Sequence, residues 1–165
     1  MAGGEAQLSF ERALWVFPAV IALHNLEEAI WLPRWAAQSR FPSPGRAVFA
    51  FAASVLTVLA SVSTWLSIRQ GRQSFWAYLV FGYMVAMLAN VVIPHLSMTV
   101  LRLSYMPGLG TGLLLIVPVL STLAVRAVHE RFVSGWPAVG SAVLVPIFLL
   151  ASLPALFALG RALRL

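Results

Sequence analysis

The sequence predicts an all-α fold: a polytopic integral membrane bundle of about five transmembrane helices. Three observations carry that prediction. Of the 165 residues, 61% are hydrophobic and only 10% charged, where a soluble domain carries about a quarter charged residues. Mean hydropathy is +0.90. Five apolar stretches recur, each near the roughly 20 residues a bilayer-crossing helix needs. The length suits one transmembrane helical domain, 1–165, with no room for a second.

The expected spans are 10–32, 47–68, 75–101, 113–128 and 138–159. Ser9 can cap the first, with Glu11 well placed in its first turn. Pro33 and Arg34 should stop it. Residues 35–46 contain Arg40, Pro42, Pro44, Gly45 and Arg46 and read as an interfacial loop. A short turn at 69–73 precedes the third span, which contains Asn90, Pro94 and His95. A Gly-rich loop at 102–112 leads to the fourth span, ended by His129-Glu130-Arg131. Ser134 to Pro137 turns the chain into the fifth, and Arg161 and Arg164 close it. The six Trp, at 15, 31, 35, 65, 76 and 136, fall at or near helix ends, as an aromatic belt at headgroup level requires. Pro18, Pro118, Pro146 and Pro154 lie inside spans, where neighbouring helices can satisfy the freed carbonyls.

With no cysteine, disulfides, thiolate metal sites and a cysteine nucleophile are excluded. All 11 basic residues are Arg, all 5 acids are Glu, and the net charge is +6. That balance fits a surface of anionic lipids. Nucleic acid is not an expected partner, since little solvated surface remains to carry a basic face. The first nine residues lack a positive n-region and a cleavage site, so they are expected to be retained.

The first span is not ordinary. It contains His24-Asn25-Leu26-Glu27-Glu28. An acidic side chain at mid-membrane costs about 2.5–3.5 kcal/mol, while each Leu, Ile, Phe or Val returns about 0.3–0.6. This helix is therefore marginal alone and needs a metal, a counter-charge, a wet cavity or protonation. Glu27 and Glu28 stand at i+3 and i+4 from His24, so both carboxylates flank the imidazole on one face. The bland alternative is two Glu snorkelling to the interface beside Trp31. Ionisable residues within spans usually mark sites or ion paths.

Alternating spans bring the ends of the first and third helices to one side of the membrane. At about 1.5 Å per residue, Glu28 lies roughly 24 Å along its helix and Asn90 roughly 22 Å along the third, with His95 deeper. The polar residues of the two helices thus share a height. Pro94 frees the carbonyl of Asn90, kinks the helix and can re-aim His95. Alternatively, His95 only ends a helix and Asn90 only ties helices together. Tyr105-Met106-Pro107-Gly108 suits a type II turn, and folded back it would bring Tyr105 over the same pocket. His129 and Glu130 fall on the opposite side and read as an interfacial cluster with Arg126 and Arg131.

These motifs resemble the HXXEE family of small bacterial membrane proteins. The signature is His24-Asn25-Leu26-Glu27-Glu28. The family's further marks are an Asn preceding a His, matched by Asn90 and His95, and Tyr-x-Pro-Gly, matched by Tyr105 to Gly108. The resemblance runs over residues 24–108. The family's activity is undefined, so the resemblance implies a shared polar site and not a reaction.

Two His and two Glu without Cys suit zinc or non-haem iron. Zinc catalytic sites commonly take three protein ligands from His and Glu and keep one position open; two His and one carboxylate suit iron(II). The expected metal ligands are His24, Glu27, Glu28 and His95. His24, His95 and one Glu would hold the ion and the other Glu would be the general base. Asn90 and Tyr105 would orient a ligand or stabilise negative charge. The expected activity is metal-assisted hydrolysis or non-haem-iron chemistry on a lipid-like or amphipathic substrate. Two other readings stand beside it: a proton or cation pathway through the Glu27/Glu28 pair, and a non-catalytic subunit that binds a partner helix. The Arg flanks of the first helix place the site side in the cytoplasm, and the setting is a bacterial inner membrane.

Overall fold

The computed structural model describes residues 9–39 and 43–164, which are almost wholly helical and contain no strand. The retained N-terminal segment expected above, before Ser9, lies outside the described residues, as do Arg40 and Pro42 of the first loop. Among the described residues, five helices are long and apolar enough to cross a membrane: α1 (Phe10–Gln38), α2 (Arg46–Gln70), α3 (Phe75–Arg102), α4 (Leu109–His129) and α5 (Gly135–Ala162).

α1 begins after Ser9, whose side chain makes no capping bond. Pro18 has no N–H for the carbonyl of Leu14. That carbonyl is taken by the Phe17 N–H at 3.1 Å, and the helix steps out of regular geometry at Leu14 and Trp15. At its other end α1 passes through Pro33 and runs to Gln38, beyond the expected stop. The contacts there explain why. The Ser39 N–H closes the last turn on Trp35 O at 2.9 Å. Arg102 donates to the Ser39 carbonyl at 2.8 Å and lies 5.6 Å above the Trp35 ring. The end of α3 thereby finishes the end of α1.

α3 is irregular where Pro94 sits. Residues Val91–Leu96 form a π-helical turn, and Ile93 leaves helical geometry at φ −128°, ψ 113°. In a regular helix Asn90 and His95 would point about 140° apart. The wider turn returns both side chains to one side. The Tyr105 segment forms the turn its sequence predicts: Leu109 N–H bonds Met106 O at 3.2 Å, and Gly108 takes φ +98°, ψ −23°. α4 therefore starts at Leu109, earlier than expected, and its own π-helical stretch, Gly112–Leu120, surrounds Pro118.

The far half of the bundle is packed with Leu14, Phe17, Ile21, Tyr83, Met84, Ile116 and Leu120, all essentially inaccessible. Phe17 meets Tyr83 edge-to-face at 5.4 Å. On that side Arg126 Nε pairs with Glu130 Oε1 at 2.7 Å, and Arg72 donates to the Glu130 carbonyl at 2.8 Å. Nearer the site side, Asn25 ties α1 to α2 by donating to Ala53 O at 3.0 Å and Thr57 Oγ1 at 2.8 Å. On another face of α1 at this level, Leu23 and Leu26 are about half exposed.

Candidate metal centre

His24 is wholly buried, and its two ring nitrogens face two different sets of partners. On the Nε2 side stand Glu28 Oε1 at 3.7 Å and Asn90 Nδ2 at 3.4 Å. His95, buried to the same degree, reaches the same place from α3: its Nε2 is 2.9 Å from Glu28 Oε1 and 3.0 Å from Asn90 Nδ2. The two imidazoles stand perpendicular with centroids 5.3 Å apart. Ligand atoms of His24, Glu28 and His95 all lie within 4.8 Å of one another, the one such group of metal-ligating side chains among the described residues.

On the Nδ1 side the partner is Thr111 Oγ1, at 2.9 Å. Behind it lies Glu27. Its Oε1 accepts from Tyr105 OH and from the Gly108 N–H at 2.9 Å. Its Oε2 accepts from the Thr111 N–H at 2.9 Å and the Thr111 hydroxyl at 2.5 Å. Free N–H groups at a helix start attract anions, and Glu27 from α1 caps the start of α4 in this way. Partial burial, then the hydrogen bond to Glu27, raise the Tyr105 phenol above its ordinary pKa, so it stays a donor to Glu27.

The sequence-predicted residues therefore fall into two linked groups. His24, Glu28, Asn90 and His95 converge. Glu27 and Tyr105 belong to a neighbouring group with Thr111 and Gly108. Adjacent residues on a helix differ by about 100°, which sends Glu28 to one side of the imidazole and Glu27 to the other. With four donors on its two oxygens, Glu27 is neither free to ligate nor free to act as a base. Thr111 and Gly108 were not anticipated. The one hint in the sequence was the Gly108 of the Tyr-x-Pro-Gly turn, which must be followed by exposed helix-start N–H groups.

The donor set fits a divalent ion. Bonds of about 2.0–2.1 Å at a tetrahedral centre set ligand atoms about 3.3 Å apart, between the 2.9 and 3.7 Å contacts of Glu28 with the two imidazoles. At His95 Nε2 an acceptor, Glu28 Oε1, and a donor, Asn90 Nδ2, compete for one nitrogen; a cation between His95 and Glu28 would replace the contact between those two. His95 Nδ1 has no hydrogen-bond partner, and the ring is held instead by Gly108 packed against it.

Two cavities meet the two carboxylates. One of about 460 Å³ lies between α1, α2, α3 and α5, is walled by residues such as Leu56, Met87, Leu149 and Phe157, and ends on Glu28 and Asn90. The other, about 800 Å³ and more open, lies beside Glu27 and Tyr105 and is edged by Trp31, Arg34 and Trp35.

Residues 15–123 match the family described as "Protein of unknown function with HXXEE motif". The chain belongs to the HXXEE family. The HXXEE match runs past the Tyr-x-Pro-Gly turn, so it takes in Thr111 as well as the motifs that suggested the family. The chain is also similar to "Uncharacterized protein YrkK" of Bacillus subtilis (strain 168), 38% identical over 146 residues, which are 87% of this chain and 92% of that protein. No solved structure matches it.

Proposed function

We infer that this HXXEE protein is a membrane-embedded metal-dependent enzyme acting on a lipid-like or otherwise amphipathic substrate. One observation carries the reading: His24 Nε2, His95 Nε2 and Glu28 Oε1 converge from two helices, and Glu28 also lines an apolar cavity. Two imidazoles and one carboxylate are a ligand set used by catalytic zinc and by iron(II). An ion held there supplies Lewis acidity and an activated water. The residues around it do the rest. The cavity admits an apolar chain and excludes bulk water. Asn90 lines it and offers an amide donor where negative charge would develop. The bilayer is the medium that delivers such a substrate.

Elemental analysis of detergent-purified protein tests the reading. About one zinc or iron per chain is expected, lost in His24→Ala and in His95→Ala. Metal-free wild-type protein that cannot be reconstituted would refute it.

A second reading, proton handling, is favoured by the unbroken polar chain from Tyr105 through Glu27, Thr111, His24 and Asn90 to His95 and Glu28. Against transmembrane passage stands the apolar layer of Phe17, Ile21, Ile116 and Leu120 beyond it. The setting proposed is a bacterial inner membrane with the site toward the cytoplasm. Support comes from the ends of α1, where Arg34 lies near the C-terminal end with Arg40 and Arg46 beyond it and Arg12 alone lies near the start.

A further inference from the structure

Glu27 is placed where it can fix the state of His24 without touching it. The argument is one of hydrogen-bond direction. Backbone N–H groups only donate, and those of Gly108 and Thr111 reach Oε1 and Oε2 of Glu27, each at 2.9 Å. Tyr105 receives the N–H of Gly110 at 2.9 Å, so its own proton goes to Glu27. A carboxylate surrounded by donors accepts on every side. The Thr111 hydroxyl, 2.5 Å from Oε2, must therefore spend its single proton on Glu27. Its oxygen can then only accept from the other neighbour, His24 Nδ1 at 2.9 Å. The proton of the neutral imidazole sits on Nδ1, and Nε2 carries a lone pair. That lone pair faces the Asn90 amide nitrogen at 3.4 Å and Glu28 Oε1 at 3.7 Å.

We propose that Thr111 and Glu27 are positioning residues that lock His24 as the Nδ1–H tautomer, with its Nε2 lone pair directed at the position between Glu28 and His95. The α4 start is the anchor: Glu27 is held by backbone N–H groups and Thr111 by its own N–H, so the relay is fixed by main chain. His95 differs. Its Nδ1 has no partner, so its tautomer follows whatever occupies the Nε2 side. One imidazole is preset and the other adapts. The role of this relay in ligation rests on the metal reading above; the tautomer itself does not.

The experiment reads the two separately. Nitrogen-15 NMR of metal-free, ¹⁵N-histidine-labelled protein in detergent distinguishes protonated from lone-pair ring nitrogens, and the chain has only 3 His to assign. His24 is expected as Nδ1–H in wild type and in Thr111→Ser, and shifted toward Nε2–H in Thr111→Val. Zinc titration should then give about 10- to 100-fold weaker binding for Thr111→Val, the range typical when the partner behind a ligating His is lost, with Thr111→Ser restoring it. Nε2–H at His24 in wild-type protein, or a tautomer indifferent to Thr111→Val, overturns the proposal. If Thr111→Val does not fold, the wild-type and Thr111→Ser spectra still decide. Wild-type protein that shows the Nδ1–H tautomer but binds no metal leaves the relay standing and removes the metal reading.

Discussion

At Gly108 the main chain takes φ +98°, and a methyl group added there would run into the His95 ring. A side chain in this backbone region costs of order 1–3 kcal/mol, and the collision adds to it. Gly108→Ala should therefore lower thermal stability in detergent and weaken metal retention by displacing His95; unchanged melting and unchanged metal content would contradict the packing described. The residues that make this site were unevenly legible. His24, Glu27, Glu28, Asn90 and His95 announce themselves because charge and amide groups are expensive in an apolar span. Thr111 does not, since a threonine near a helix start is unremarkable and the N–H groups beside it leave no mark in a sequence. The i+3, i+4 spacing put both carboxylates near the imidazole but could not say that they take opposite sides of it.

Among the elements, α3 and α5 are pressed together at Gly82. A Cβ at Gly82 would overlap the Ser141 carbonyl and the Val145 side chain, so the glycine is what lets these helices approach, as small residues do in membrane interfaces. Gly82→Val should cost about 1–3 kcal/mol by overpacking, seen as easier unfolding in a denaturing-detergent titration, with Gly82→Ala falling between the two. The five spans could be read from apolar run length alone. Their ends could not. α1 outlasts Pro33 because Arg102 and Trp35, distant in sequence, complete its last turn. The common height of Asn90 and His95 followed from counting residues, whereas their common direction depends on a π-helical turn that the presence of Pro94 permits but does not specify.

For the whole molecule, the charges at the two ends decide orientation, and the absence of Cys makes it simple to measure. Ser104, exposed on the site side, and Gln70, exposed on the far side, can each be replaced by Cys. In intact cells a membrane-impermeant maleimide should label Gln70→Cys, and Ser104→Cys only after the membrane is broken. The reverse pattern would invert the assignment. Composition and apolar run length together marked the bundle, because lipid admits only helices or closed barrels and runs of about 20 apolar residues suit helices.

The linkage between α1 and the start of α4 also governs how the chain is made. Glu27 is translated 78 to 84 residues before the Tyr105, Gly108 and Thr111 that receive it. At about 5–20 residues per second, Glu27 waits roughly 4–17 s for the donors that hold it in the folded chain. The polar partnerships of the first helix are therefore completed only once the start of α4 has been made.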